Sequence, residues 1–375
     1  MRLEFEKATD SIINNNILKE LRGYENIIVF GAGDSGDWAV NLLRKNNIFP
    51  KCYCDNSSRK WGKSRNGLII RSFEAAIGEY KEPAICIASM WREEIYRQIC
   101  EYDGALSERT YDLLTSMAWE TADRQYQSKE YEYIRAHEAE FEKLYEEFED
   151  EQSKLTLEGI LNYRLTRDDT WLHKIKSNET SYLDRTVIDE EHYKMVQHGS
   201  IIDGGAFDGD TVELFINKAG NGNVLEIHCY EAETKNIVVI EEKMAKGEWN
   251  PHRVFLHKAA LWDKKEEIGF GGTGLSGHIK EANDMRVNAE RIDDFAYQNV
   301  GLIKLDIEGA ERKALLGAEG IIRKHRPILA ICTYHLQDDI LVLSDFIKSL
   351  NCNYKLVLRH YMLSAGDSIL YGIPQ

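Results

Sequence analysis

The chain has 375 residues, 47 basic against 63 acidic, giving a formal charge of −16. At about 100–200 residues per domain this length calls for two domains, and a composition 43% hydrophobic and 29% charged excludes a chain disordered throughout. The negative balance repels phosphate backbones and anionic membranes, which argues against non-specific nucleic-acid binding.

The opening residues, MRLEFEKATD, carry acids where a secretion signal has a basic start and an apolar core, and nowhere do 18 apolar residues run together. The expectation is a cytoplasmic protein without a membrane span. The seven cysteines are scattered, without a C-x-x-C pair, and read as reduced core residues.

In chain order, the first clear element is an apolar run at residues 26–31, NIIVFG, followed by a helical pattern from Asp34 to Lys45. Further strands are expected near residues 51–55 and 84–88, so residues 1–118 read as a small parallel α/β domain. Its glycines Gly31, Gly33 and Gly36 fit G-x-G-x-x-G between a strand and a helix, and Asp55 falls nineteen residues after Gly36, where a ribose would be held. This domain is expected to bind a nucleotide, a nucleotide-sugar or NAD, or else to serve only for docking, because Asp34 and Asp37 oppose a phosphate.

Residues 119–162 are read as an acidic helical linker. Between Glu120 and Gln152 there are 12 acids against 4 bases, with no glycine or proline and with apolar residues at helical spacing. One long helix is expected, either with a solvated face or joining two copies in a homo-oligomer.

From Gly199 a second α/β pattern begins, with candidate strands at 200–203, 225–231, 254–257, 302–306, 328–333, 355–360 and 368–371. The first ends in SIIDGGAFDGDT, placing Asp203, Gly204, Gly205, Asp208 and Gly209 at a strand-to-helix turn, and the second ends in Glu231, positioned to accept from ribose hydroxyls. Acids in this turn repel a pyrophosphate and attract a sulfonium and an ammonium, which favours S-adenosylmethionine over a dinucleotide. Two further strand ends carry Lys304, Asp306, Glu308 and Glu311 (IKLDIEGAE) and Tyr334 with His335 (ICTYH). The carboxylates suit hydroxyl or amine binding or a divalent ion, and a neutral histidine can take a hydroxyl proton near pH 7.

In these motifs the second domain, residues 163–375, resembles the FkbM-type S-adenosylmethionine-dependent methyltransferase family. The resemblance continues through KAALWD, GTGLSG, ERIDDF, RPILAICTYH, YKLVLRHY and SILYGIP. It implies a seven-strand methyltransferase sheet with the last strand antiparallel, so that the fold class is α/β with two Rossmann-like domains. It also implies O-methylation of a saccharide, nucleotide-sugar or related natural product in polysaccharide biosynthesis. On residues, it implies donor binding by Asp203, Gly205, Asp208 and Glu231, with Ala260 and Asp263 near the adenine and Asp306, Glu308 and His335 near the acceptor. Cys332-Thr333 is a less usual feature of the acceptor strand. Methyl transfer is expected without a metal.

Two other functions compete. One is a non-catalytic nucleotide sensor or scaffold with a degenerate methyltransferase domain, against which the intact Asp203, Gly205, Glu231 and Asp306 argue. The other is an NAD-dependent sugar-modifying enzyme, weakened by the lack of a Tyr-x-x-x-Lys pair in the first domain.

Overall fold

The structure, a computed structural model, describes residues 1–7, 17–89, 91–113, 124–219, 225–250, 253–271, 278–279 and 285–375. The GTGLSG motif and the acids Glu120 and Asp123 lie outside the described residues. The chain is a mixed α/β protein that divides into two compact units. One comprises residues 2–135 and 161–169, the other residues 136–160 and 170–375 together with Met1.

In the first unit, strands β1 (Ile27–Phe30), β2 (Cys52–Cys54), β3 (Ser64–Arg65), β4 (Leu68–Arg71), β5 (Ala84–Ile87) and β6 (Thr110–Asp112) form one sheet in the order β3-β4-β2-β1-β5-β6. All its pairings are parallel except β3 with β4. The sheet is covered on both faces, which is why β1 and β5 read as unbroken apolar runs. Ile27 and Val29 point into one core cluster, Ile28 and Phe30 into another. The helix Asp34–Lys45 buries Ala39, Val40, Leu42 and Leu43 on the first of these faces.

The second unit holds β7 (Ser200–Gly204), β8 (Glu226–Tyr230), β9 (Val254–His257), β10 (Ala260–Leu261), β11 (Glu266–Gly271), β12 (His278–Ile279), β13 (Met285–Glu290), β14 (Val300–Leu305), β15 (Ile328–Cys332), β16 (Tyr354–His360) and β17 (Ser368–Pro374). Its seven-strand sheet runs β16-β17-β15-β14-β7-β8-β9, with β17 antiparallel to both neighbours. These are the seven strands expected from the sequence. The second sheet, β10-β13-β11-β12, was not expected. Its strands are short and charged at Glu266, Glu267 and Arg286, so their alternation is faint.

The expected single acidic helix is instead three, Arg124–Ala136, Glu138–Glu147 and Glu151–Thr166. Phe148 leaves the helical region, and Asp150 then accepts hydrogen bonds from the Ser153 main-chain N–H (2.9 Å) and hydroxyl (2.5 Å), starting a new helix. The acids around this break have partners within the unit: Glu147 with Lys348 (2.8 Å), Glu149 with Lys355 (3.0 Å) and Asp150 with Arg359 (2.9 Å). These three are therefore not part of a purely solvated face. No helix among the described residues is long and apolar enough to cross a membrane.

Candidate active site

The register of the large sheet brings the chemistry-bearing strand ends to one rim. Leu305 lies opposite both Gly204 and Ile331, and Gly204 lies opposite Tyr230. The turn after β7, Glu231 after β8, Asp306 after β14 and Tyr334-His335 after β15 therefore emerge side by side, as ligand groups do in open α/β sheets. The β7 and β14 ends are in direct contact, with the Asp306 N–H donating to the Gly204 carbonyl (3.1 Å). Gly205 has φ +75° and a Cβ there would fall 1.9 Å from the Asp306 carbonyl oxygen, so no larger residue fits.

Beneath the rim lies a buried ion pair. Lys304 Nζ is 2.9 Å from Asp203 and donates to the Gly204 (3.0 Å) and Gly205 (2.6 Å) carbonyls, while the Thr211 hydroxyl donates to the other Asp203 oxygen (2.5 Å). Burial opposes charge on Lys304, but Asp203 and Asp306 outweigh it and keep the ammonium protonated. The Asp203 charge is thus matched inside the protein, where it ties β7 to Lys304 of β14 and to Thr211 of the following helix. Asp208, at the tip, accepts from the Asp210 N–H (3.2 Å), and Gly209 packs against Trp249.

Glu231 is buried, and its carboxylate accepts main-chain hydrogen bonds from Phe207 (2.8 Å), Ala232 (2.8 Å) and Glu233 (2.7 Å). The sequence predicts a carboxylate that accepts from ribose hydroxyls. In the structure it also ties the glycine turn to β8, with Phe207 held at φ +49°. Ala260 starts β10, just beyond the end of β9, and Asp263 follows it, paired with Lys313 (2.6 Å).

His335, its side chain 7% exposed, lies among carboxylates. Its Nδ1 is 2.9 Å from Glu311, and its Nε2 is 3.4 Å from Asp306 and 3.8 Å from Glu308. Burial disfavours the charged ring, but Glu311, Asp306 and Glu308 prevail and raise its pKa to about 9. The neutral base expected from the sequence is therefore corrected to an imidazolium at pH 7, because the segment after β14 brings three carboxylates around a ring that follows β15. Glu308, at φ +56°, is pushed up to about 7 by burial, against the pull of His335. Asp306 is held below the ordinary carboxylate range despite its burial, by Lys304, His335 and two tyrosine hydroxyls. Glu311, His335 and Asp339 place ligand atoms within 4.8 Å of one another, so they form a group that could take a cation.

Two residues at this rim carried no strand-end signal in the sequence. Tyr182 belongs to an irregular stretch before the sheet, and Asp367 to the turn between β16 and β17. Burial and the nearby Asp306 raise the Asp367 pKa to about 7.

In the first unit, the glycine turn opens on a cavity of about 560 Å³ whose lining includes Gly31, Gly33, Asp55, Lys60, Ser89 and Trp91. Gly31 and Gly36 are required by close backbone approach, to Ala88 and to Gly31 respectively, whereas a Cβ on Gly33 would meet nothing. Asp55 accepts from the Ala32 N–H (2.9 Å), the Ser57 N–H (2.9 Å) and Lys60 (2.8 Å), so the carboxylate expected to hold a ribose is already engaged. Arg65 pairs with both Asp34 (2.8 Å) and Asp37 (2.7 Å), which offsets the acids beside the turn.

The comparisons agree with this division. Residues 203–356 match the Methyltransferase FkbM domain family, and residues 23–108 match the C2185-like, N-terminal family. The crystal structure of methyltransferase FkbM from Methylobacillus flagellatus KT is similar over 98% of both chains, with a TM-score of 0.67 at 20% identity, a likeness of fold. An rRNA methylase from Streptococcus thermophilus is a more distant neighbour, at TM-score 0.32 and 11% identity over 49% of this chain and 93% of the other. So is an O-methyltransferase from Bacillus cereus, at TM-score 0.32 and 9% identity over 59% and 90%. None of the curated proteins matches the chain.

Proposed function

We propose that the second unit transfers a methyl group from S-adenosylmethionine to a hydroxyl of a saccharide, nucleotide-sugar or related natural product. The observation that carries this reading is the convergence of a glycine turn, Glu231 and a carboxylate–histidine group on one rim of a seven-strand sheet, within the region that matches the FkbM domain. Donor binding falls to the turn at Gly204, Gly205, Asp208 and Gly209, to Glu231 through lone pairs left by its main-chain bonds, and to Ala260 and Asp263 on the adenine side. Asp203 acts there through Lys304.

In this reading the crowded carboxylates favour the sulfonium and ammonium of the donor. The acceptor hydroxyl lies near Asp306 and Glu308, and its proton passes to His335 once the imidazolium has lost its own. Arrival of the cationic donor lowers the proton affinity of His335 and Glu308 and so prepares the base. The reaction runs without a metal. Calorimetry of the full chain with S-adenosylmethionine, NAD and nucleotide-sugars tests the reading. Binding of S-adenosylmethionine, weakened in Glu231→Gln and Asp208→Asn, supports it, and absence of donor binding sinks it.

A second reading, a nucleotide-sensing or scaffold protein, is favoured by the cavity at the glycine turn of the first unit. It calls for nucleotide binding without donor binding in the same titrations.

A further inference from the structure

We infer that Tyr182 is a positioning residue whose phenol, together with that of Tyr334, fixes the Asp306 carboxylate in a single orientation on the rim. The inference rests on the methyl-transfer reading for its functional meaning, but the arrangement itself stands on geometry. The Tyr182 hydroxyl donates to one Asp306 oxygen (2.9 Å), and the Tyr334 hydroxyl donates to the other (2.8 Å). The two phenols come from different elements, one before the sheet and one after β15. A carboxylate gripped at both oxygens cannot rotate, and its remaining lone pairs present one fixed accepting edge.

Tyr182 is itself held in place by several independent contacts. It is 6% exposed and has φ +65°, a conformation a bulky residue keeps only where its surroundings impose it. Its main-chain N–H donates to the Tyr371 hydroxyl on β17 (3.0 Å), which is bonded to the Tyr361 hydroxyl (2.7 Å). Tyr361 in turn donates to Asp184 (2.9 Å), and Asp184 also accepts from the Thr186 N–H (2.7 Å) and hydroxyl (2.6 Å). The stretch carrying Tyr182 is thereby anchored on both sides of that residue. Lys304 Nζ lies 5.5 Å from the Tyr182 ring centre, so the phenol occupies the gap between the buried cation and the rim.

The other groups around Asp306 make this grip consequential. Lys304 and His335 approach it as cations. Glu308 on its own loop and Asp367 on the β16–β17 turn add carboxyls that burial leaves only partly ionised near pH 7, and the Cys332 thiol is 3.6 Å from the Tyr182 hydroxyl. Without the two O–H donors the carboxylate would be free to rotate between the Lys304 and His335 cations.

The test is 13C NMR of the full chain labelled at aspartate carboxyl carbons, recorded at one fixed neutral pH, with the Asp306 signal assigned through Asp306→Asn. Tyr182→Phe retains the ring, the Lys304 contact and the main-chain bond to Tyr371, and removes only the O–H. The Asp306 signal should move in Tyr182→Phe and in Tyr334→Phe. Replacing Tyr182 with 3-fluorotyrosine, a stronger donor of the same shape, should move it in the opposite direction to Tyr182→Phe. A wild-type signal position in both the Phe and fluorotyrosine variants at 182 overturns the inference, and if Tyr182→Phe does not fold, the fluorotyrosine protein alone decides it. No methyl donor is needed, so the result stands apart from whether S-adenosylmethionine binds.

Discussion

At the scale of single residues, the pair Lys304–Asp203 is costly to break. Both side chains are almost wholly buried, and removing one partner leaves the other charge uncompensated. Lys304→Met should destabilise the second unit by about 3–5 kcal/mol, measured by chemical denaturation. A loss under about 1 kcal/mol would show that Asp203 finds another partner. His335 gives a prediction of a different kind. Its folded pKa, about 9, lies above its ordinary 6.5, so its contribution to stability is complete below pH 6.5 and is lost as pH rises through 9. The stability gap between wild type and His335→Gln should narrow over that window. If donor binding lowers the proton affinity of His335 and Glu308, it must release protons near pH 8, which calorimetry in buffers of different ionisation heat can count. A general base contributes ~10²–10⁴-fold, so His335→Ala should reduce turnover by that order without weakening donor binding, since it removes a cation that opposes the cationic donor. Turnover within a few-fold of wild type would make His335 a structural cation.

At the scale of elements, β8 and β9 carry a second histidine group, His257 at the end of β9 beside Tyr230 and His228 two residues further inside the sheet. His228 Nδ1 and His257 Nε2 are 3.0 Å apart, and His228 Nε2 is 3.2 Å from Glu226. Burial lowers the pKa of both rings, that of His257 to about 4, with the neighbouring His228 adding to the effect there. The sign is opposite to that of His335: the folded state binds fewer protons, so stability is present above pH 6.5 and falls as pH drops through about 4. His257→Gln should flatten the acid side of the stability profile, and an unchanged acid limb would show that these rings do not set it. The break at Phe148–Asp150 is another decision made at this scale. Local propensity favoured one helix across the acidic stretch, but Asp150 caps the next helix through Ser153, a local contact, and pairs with Arg359 of β16, a contact that exists only once the sheet has formed.

At the scale of the whole molecule, the proposed donor site and the cavity at the first unit's glycine turn belong to different units, and one substitution tests whether they act separately. Gly33 has extended backbone (φ −122°), and a Cβ there meets no atom within 4 Å, so Gly33→Val should fold normally and project into the cavity. Nucleotide or nucleotide-sugar binding by the full chain should be lost in this variant while S-adenosylmethionine binding is retained. Joint loss of both would tie the sites together. A chelator control belongs to the same scale, because Glu311, His335 and Asp339 converge from two parts of the chain. Full activity after chelation is the expected outcome, and loss restored by Mg²⁺ or Mn²⁺ would assign the reaction a metal.

The sequence by itself determined the strands of the large sheet and the glycine turns, because alternation, apolar runs and glycine at strand ends are local properties of the chain, whereas the antiparallel β17 was implied only by the family resemblance. It also placed Asp203, Glu231, Asp306 and His335 at strand ends, since strand order in this sheet carries those ends to one rim. Only the tertiary structure decided what each group does there. Whether Asp203 faces a ligand or Lys304, whether Glu231 is free or bonded to the Phe207 N–H, and whether His335 is neutral or charged depend on partners brought from distant positions. Tyr182 shows the limit most sharply: 124 residues separate it from Asp306, it lies on no periodic element, and the contact arises only when the β16–β17 edge anchors its segment. Pairing and burial of charge are properties of the assembled fold, and a one-dimensional pattern does not contain them.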